Sequence, residues 1–218
     1  MIEAVIFDMD GTLIDSEPMW KEAEKQVFSS LGVNIKEELA AKTASMTTIE
    51  AAEFWYKESP WVGASISQVA DKVVNKVSEL IVQRGEALPG VHDALDFLTE
   101  KQVKIGLATN APNVLISVVL NKLKITHYFS VCCSSEYERL GKPSPDVYLS
   151  TAAKLQVAPQ NCLAVEDSVT GLCAAKAANM CTLVVPHKDE YHSDKFARAD
   201  YKLVNLTELK SLWLDRKN

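Results

Sequence analysis

The chain has 218 residues, 47% of them hydrophobic and 24% charged, which excludes general disorder and allows one large domain or two small ones. Twenty-three Lys and Arg against 29 Asp and Glu give a net charge of −6. That balance disfavours a nucleic-acid partner, whose binding rests on basic side chains, but leaves room for a small phosphorylated ligand at a local positive site. No apolar run approaches the ~20 residues that cross a bilayer. The first residues lead straight into a strand pattern rather than a basic and then apolar leader, so a cytoplasmic protein with no membrane partner is expected.

Residues 3–8 (EAVIFD) form a short apolar run ending at an acidic, glycine-containing turn, the pattern of a strand buried on both faces of a parallel sheet. From Ser16 the period becomes helical, with Trp20, Ala23, Val27 and Leu31 in step and Gly32 placed to end the helix. Residues 48–57 predict a second helix stopped by Ser59-Pro60, and the stripe Ile66, Val69, Val73, Val77, Leu80, Ile81 a third. These stripes, with Trp55, Tyr56 and Trp61, are expected to be packing surfaces. After Leu88-Pro89-Gly90 the rhythm alternates: helix 91–100, strand 103–109, helix 112–123, strand 129–133, helix 145–155, strand 162–166, helix 169–179, strand 182–185, and a last strand and helix over 201–214. Such alternation predicts a doubly wound parallel sheet. The first strand alone makes no sheet, so it must pair with strands beyond residue 100. The expected fold is therefore α/β: a Rossmann-like sheet domain (1–14 and 87–218) with an inserted α-helical cap domain (15–86).

Five cysteines, odd in number and without a CxxC pair, and four scattered histidines predict neither disulfides nor zinc; the cysteines are expected to be reduced, buried, small hydrophobes.

In open parallel sheets ligands bind beyond the carboxyl ends of the strands. That rule selects Asp8-Met9-Asp10-Gly11-Thr12, Thr109-Asn110 and Glu166-Asp167-Ser168. Carboxylates gathered there repel one another and lose hydration, which a divalent cation relieves; oxygen-only ligands favour Mg2+. Asp8 and Asp10, two apart in extended chain, share a face, and Gly11 permits the turn after them.

The runs FDMDGTLIDSEP, Thr109-Asn110, KPSP at 142–145 and EDSVTG at 166–171, in that order, resemble the four motifs of the haloacid dehalogenase-like hydrolase superfamily. The helical insertion after the first motif resembles its small-cap branch, which holds β-phosphoglucomutases and sugar-phosphate phosphatases. DSEPMW, EFWYKESPW, LPGV and KPSPDVYL are more closely similar to 2-deoxyglucose-6-phosphate and hexitol-phosphate phosphatases. The resemblance implies a phosphatase acting on a small phosphorylated metabolite, as a monomer. Asp8 would be the nucleophile that becomes an aspartyl-phosphate, and Asp10 the general acid and then base. Mg2+, with Mn2+ or Co2+ able to substitute, would bind Asp8, the Asp10 carbonyl and Asp167. Glu166 would stand alongside, oriented to waters or to a neighbouring cation. Asp8, Asp10, Thr109, Asn110 and Lys142 would bind substrate, and the Lys-Pro bond is often cis in the family.

Asp15 and Glu17 are expected to serve helix capping and the helix dipole. One departure stands in the cap: where hexose-phosphate relatives carry Gly and, two residues on, Arg, the segment Ala44-Ser45-Met46-Thr47 has Ser and Thr. The missing guanidinium removes a bidentate anchor. A β-phosphoglucomutase-like isomerase is the competing reading. A dehalogenase is disfavoured because that branch lacks the second Asp, and an idle binding module because every motif position is filled by a compatible residue.

Overall fold

The computed structural model describes residues 1–43 and 46–215. The chain divides into two compact units, one of residues 1–15 and 86–218 and one of residues 16–85.

The first unit is built on a parallel sheet of β1 (Ala4–Phe7), β2 (Lys104–Thr109), β3 (Val131–Ser134), β4 (Cys162–Glu166), β5 (Cys181–Val184) and β6 (Tyr201–Lys202), in the order β3-β2-β1-β4-β5-β6. Every residue of β1 and β4 is buried, as a strand covered on both faces requires. Ala4 pairs with Cys162 and Ile6 with Ala164. Their side chains, with Ala108, meet Val147, Tyr148, Ala152, Ala174 and Ala175 in one core cluster. Those residues belong to α7 (Asp146–Leu155) and α8 (Val169–Ala177). Val5, Phe7, Ile105, Leu107, Leu163 and Val165, equally buried, have the opposite parity and point to the other face. The unit also contains α5 (Val91–Glu100), α6 (Asn113–Leu123) and α9 (Leu209–Asp215). The chain leaves β1 for strands on one side and returns to β4 on the other, so the switch in strand order lies between β1 and β4.

The second unit holds α1 (Glu17–Ser30), α2 (Glu37–Thr43), α3 (Thr48–Glu58) and α4 (Ile66–Arg84). Capping boxes start two of them: Thr47 and Glu50 exchange bonds at α3, and Ser65 and Gln68 at α4. The predicted α4 stripe is buried. Trp55 and Trp61 each stand 6.0 Å from the Phe28 ring, so these aromatics pack, while Tyr56 is partly exposed with its edge toward Trp61. Ser16, not Asp15, is the N-cap of α1, and Glu17 pairs with Lys21 at 2.6 Å on the helix surface.

Three expectations need correction. Helix α2 was not predicted, because it shows no apolar stripe: Glu37, Glu38 and Lys42 are exposed, Leu39 and Ala40 are half-buried, and its buried residue is the polar Thr43. The third strand starts at Val131, two residues late, since a helical turn (Thr126–Tyr128) leads into Phe129, whose ring meets the edge of Phe7. All five cysteines are free, yet Cys132, Cys173 and Cys181 are only half-buried. No described helix is long and apolar enough to cross a membrane. Of the cap segment singled out above, Ala44 and Ser45 lie outside the described residues; Thr47 caps α3.

Candidate active site

The strand parity that fills the core also aims the site. Positions 4 and 6 of β1 and 162 and 164 of β4 face α7 and α8, so Asp8 and Glu166, next in each series, project the same way where the strands end. The Asp8 N–H donates to the Val165 carbonyl at 2.9 Å, extending the β1–β4 ladder to the loop after β1.

Carboxylate oxygens of Asp8, Glu166 and Asp167 lie within 4.8 Å of one another. Asp8 is 7% exposed and Glu166 1%. Burial, then the charges of Glu166 and Asp10, push the Asp8 carboxyl up to about 7 against the pull of Lys142. Burial, then the charges of Asp8 and Glu166, push Asp167 well above the carboxylate range. Three clustered carboxylates against one ammonium leave an excess of negative charge, and the donor set is all oxygen. Both facts fit a hard divalent cation such as Mg2+. The Asp10 side chain is half-buried and is not one of the three converging carboxylates.

Two glycines make the approach possible. A Cβ on Gly11 (φ +79°) would lie 2.0 Å from Asp167 Oδ2, and a Cβ on Gly171 1.9–2.0 Å from the Glu166 carboxyl atoms. Glu166 is thus pressed against the first turn of α8, where Ser168 caps the helix through the Gly171 N–H.

Lys142 is 7% exposed, and its three ammonium protons meet three acceptors: Asp8 Oδ1 at 2.5 Å, Glu166 Oε1 at 2.6 Å and the Ala108 carbonyl at 2.8 Å. Burial alone would lower its pKa, but the charges of Asp8 and Glu166 outweigh that and hold it above the ordinary value. The Lys142–Pro143 peptide is cis. Asn110 clamps this segment: its Oδ1 accepts from the Lys142 N–H at 2.8 Å and its Nδ2 donates to the Lys142 carbonyl at 3.2 Å. Thr109, 1% exposed, accepts from the Ala111 N–H at 3.0 Å and keeps its own proton for another acceptor.

Asp8, Thr109, Asn110, Lys142, Glu166 and Asp167 are therefore brought together at the ends of β1, β2 and β4. Two contributors were missed. Gly171 stands inside the recognised EDSVTG run, but nothing in the sequence says that a carboxylate fills its missing side chain. Tyr148, fully buried, donates its hydroxyl to Glu166 Oε1 at 2.6 Å, and Lys142 Nζ stands 4.9 Å from its ring centroid. Burial and the charge of Glu166 push its phenol pKa well up. Its only signal was a tyrosine six residues after the lysine, in the first turn of the helix that follows.

A family model described as "Haloacid dehalogenase-like hydrolase" matches residues 5–185. The chain is 41% identical over 210 residues to Hexitol phosphatase B of Escherichia coli (strain K12), covering 95% of this chain and 94% of that one. It is 32% identical to the Phosphorylated carbohydrates phosphatase of Thermotoga maritima, covering 82% of each. The crystal structure of CbbY from Rhodobacter sphaeroides in complex with phosphate superposes with a TM-score of 0.87 at 27% identity, covering 96% of each chain. The chain belongs to the haloacid dehalogenase-like hydrolase family, in the branch that includes the hexitol phosphatases and β-phosphoglucomutases.

Proposed function

We propose that this protein is a cytoplasmic, Mg2+-dependent phosphatase of small phosphorylated sugars or polyols, with catalysis in residues 1–14 and 87–218 and substrate selection by the inserted 15–86. The observation that carries the reading is the convergence of three carboxylates, buried Asp8 and Glu166 and half-buried Asp167, with Lys142 at the switch between β1 and β4. The likeness to two sugar-phosphate phosphatases supports the substrate class.

Asp8, the Asp10 main-chain carbonyl and Asp167 would hold the cation. When bound, it would neutralise carboxylate charge and draw electron density from the phosphoryl group. Asp8 attacks phosphorus, forming an Asp8 Oδ–P bond as the P–O bond to the sugar breaks. Asp10 gives the leaving alkoxide its proton, then takes one from the water that cleaves the aspartyl-phosphate. Lys142, already within reach of Asp8, offsets charge on the phosphoryl oxygens, and the Thr109 hydroxyl would donate to the same oxygens. Asn110 serves the phosphate through its hold on Lys142 as well as through any contact of its own.

Asp8→Asn keeps the shape and removes the nucleophile. It is expected to lower turnover of an aryl phosphate with Mg2+ by at least about 10³-fold. Wild-type turnover in that variant would remove Asp8 from the reaction. A screen of phosphate release over sugar, polyol and nucleotide monophosphates, with Mg2+ and with chelator, tests the cation and the substrate class together.

A further inference from the structure

Glu166 has three protein hydrogen-bond partners. Oε1 accepts from Lys142 Nζ and from the Tyr148 hydroxyl, both at 2.6 Å, and Oε2 accepts from Ser168 Oγ at 3.3 Å. Its carboxyl group also fills the space beside Gly171 that a side chain would take. Such a group has little freedom to turn toward the other two carboxylates. Lys142 needs that restraint, because its flexible four-carbon stem does not fix the direction of its ammonium. The direction comes from its three acceptors, and Glu166 is one of them.

We propose that Tyr148 is a positioning residue for Lys142. Its hydroxyl pins the Glu166 oxygen that the ammonium uses, and its ring stands under the same ammonium at 4.9 Å. Tyrosine supplies both contacts from one rigid side chain that is fully buried between α7 and the sheet. Phenylalanine would keep the packing and the ring and lose the pin. A hydrogen bond to a charged, buried acceptor is among the stronger kind, so its loss should reach the lysine and the phosphate the lysine serves. The inference rests on the phosphatase reading only for its effect on turnover; the effect on the ammonium stands apart.

Tyr148→Phe in the full chain is the test. The Lys142 ammonium in 15N-lysine-labelled protein, assigned by its disappearance in Lys142→Met, is expected to give a slowly exchanging resonance that shifts or broadens away in Tyr148→Phe. With an aryl phosphate and Mg2+, kcat/KM is expected to fall about tenfold, and inhibition by inorganic phosphate to weaken by a similar factor. A tyrosine that serves packing alone would lower Tm and leave the ammonium resonance and the phosphate inhibition unmoved. That result overturns the proposal, as does a wild-type protein with no such resonance. Should Tyr148→Phe not fold, Glu166→Gln, which keeps the phenol and removes the charge it pins, must produce the same change at Lys142; an unmoved resonance there also overturns it. Turnover surviving in Asp8→Asn would instead defeat the phosphatase reading, whatever Tyr148→Phe does to the lysine.

Discussion

The two units of this chain use burial in opposite ways. In residues 16–85 the interior is aromatic and aliphatic: Phe28, Trp55 and Trp61 pack ring to ring, and polar side chains such as those of Thr47, Glu50, Ser65 and Gln68 serve helix starts at the surface. At the strand ends of the other unit, two buried carboxylates, a half-buried third and a buried ammonium are gathered with too little positive charge among them. Apolar burial stabilises at little risk, whereas buried, under-compensated charge costs stability and persists where a cation and a reaction use it. Apolar packing and the proposed phosphoryl chemistry thus fall in different regions, and substitutions can test that division.

The largest stability effect is expected in the helical unit. Trp55→Ala should lower thermal stability by about 3–5 kcal/mol, as for other large buried side chains. At temperatures where it stays folded, it should leave Asp8-dependent turnover of an aryl phosphate near wild type. A collapse of turnover with intact fold would show that the division between units is false.

Gly171→Ala sharpens the comparison from the other side. Its Cβ would stand 1.9–2.0 Å from the Glu166 carboxyl atoms, so the carboxylate must move. We expect a loss of about 1–3 kcal/mol, as for other overpacked sites. A fall in kcat/KM well beyond what the change in Tm explains should accompany it. Equal kcat/KM in the folded variant would contradict the role given to Glu166.

Glu24, on α1, is the exception within the helical unit. Among the described residues there it is the carboxylate with a raised pKa, lifted by burial from 4.5 to about 7. The folded state therefore holds a proton that the unfolded chain has released between those values. This contribution is harmless below pH 4.5, erodes stability as pH rises toward 7, and above 7 costs about 2 kcal/mol after allowing for partial exposure. Glu24→Gln should raise Tm above pH 7 and change little below pH 4.5. An unchanged difference across that range would mean that Glu24 does not titrate as its burial requires.

The smallest effect lies at the carboxylate cluster. With Asp8 at about 7 and Asp167 well above the carboxylate range in the cation-free protein, binding of Mg2+ at pH 7 must displace protons from the cluster. Mg2+ affinity should therefore rise between pH 6 and pH 8. Calorimetric titrations in buffers of different ionisation enthalpy measure the release directly; affinity flat over that range would contradict the raised Asp8.

Much of this was legible in the chain because it depended on local periodicity. Residues 3–8 predict a buried strand that delivers Asp8 at its carboxyl end, and α5 and β4 appear with the boundaries expected. What was hidden depends on packing between distant segments. Asn110 reads as a residue beside the phosphate, yet its carboxamide spends both ends on the main chain of Lys142, 32 residues away. Tyr148 reads as a helix residue, and only the seating of α7 across the sheet brings its hydroxyl to Glu166. Helix α2 carries no stripe because its neighbours cover little of it, so periodicity has nothing to register.

The central claim is that Asp8, held in this cluster, accepts the phosphoryl group. Rapid acid quenching of the Mg2+-loaded protein in mid-turnover of an aryl phosphate, followed by peptide mass analysis, asks the question directly. The account predicts one phosphoryl group on the peptide carrying Asp8, absent from Asp8→Asn. A phosphoryl group found on any other residue, or none at any quench time while phosphate is released, would contradict it.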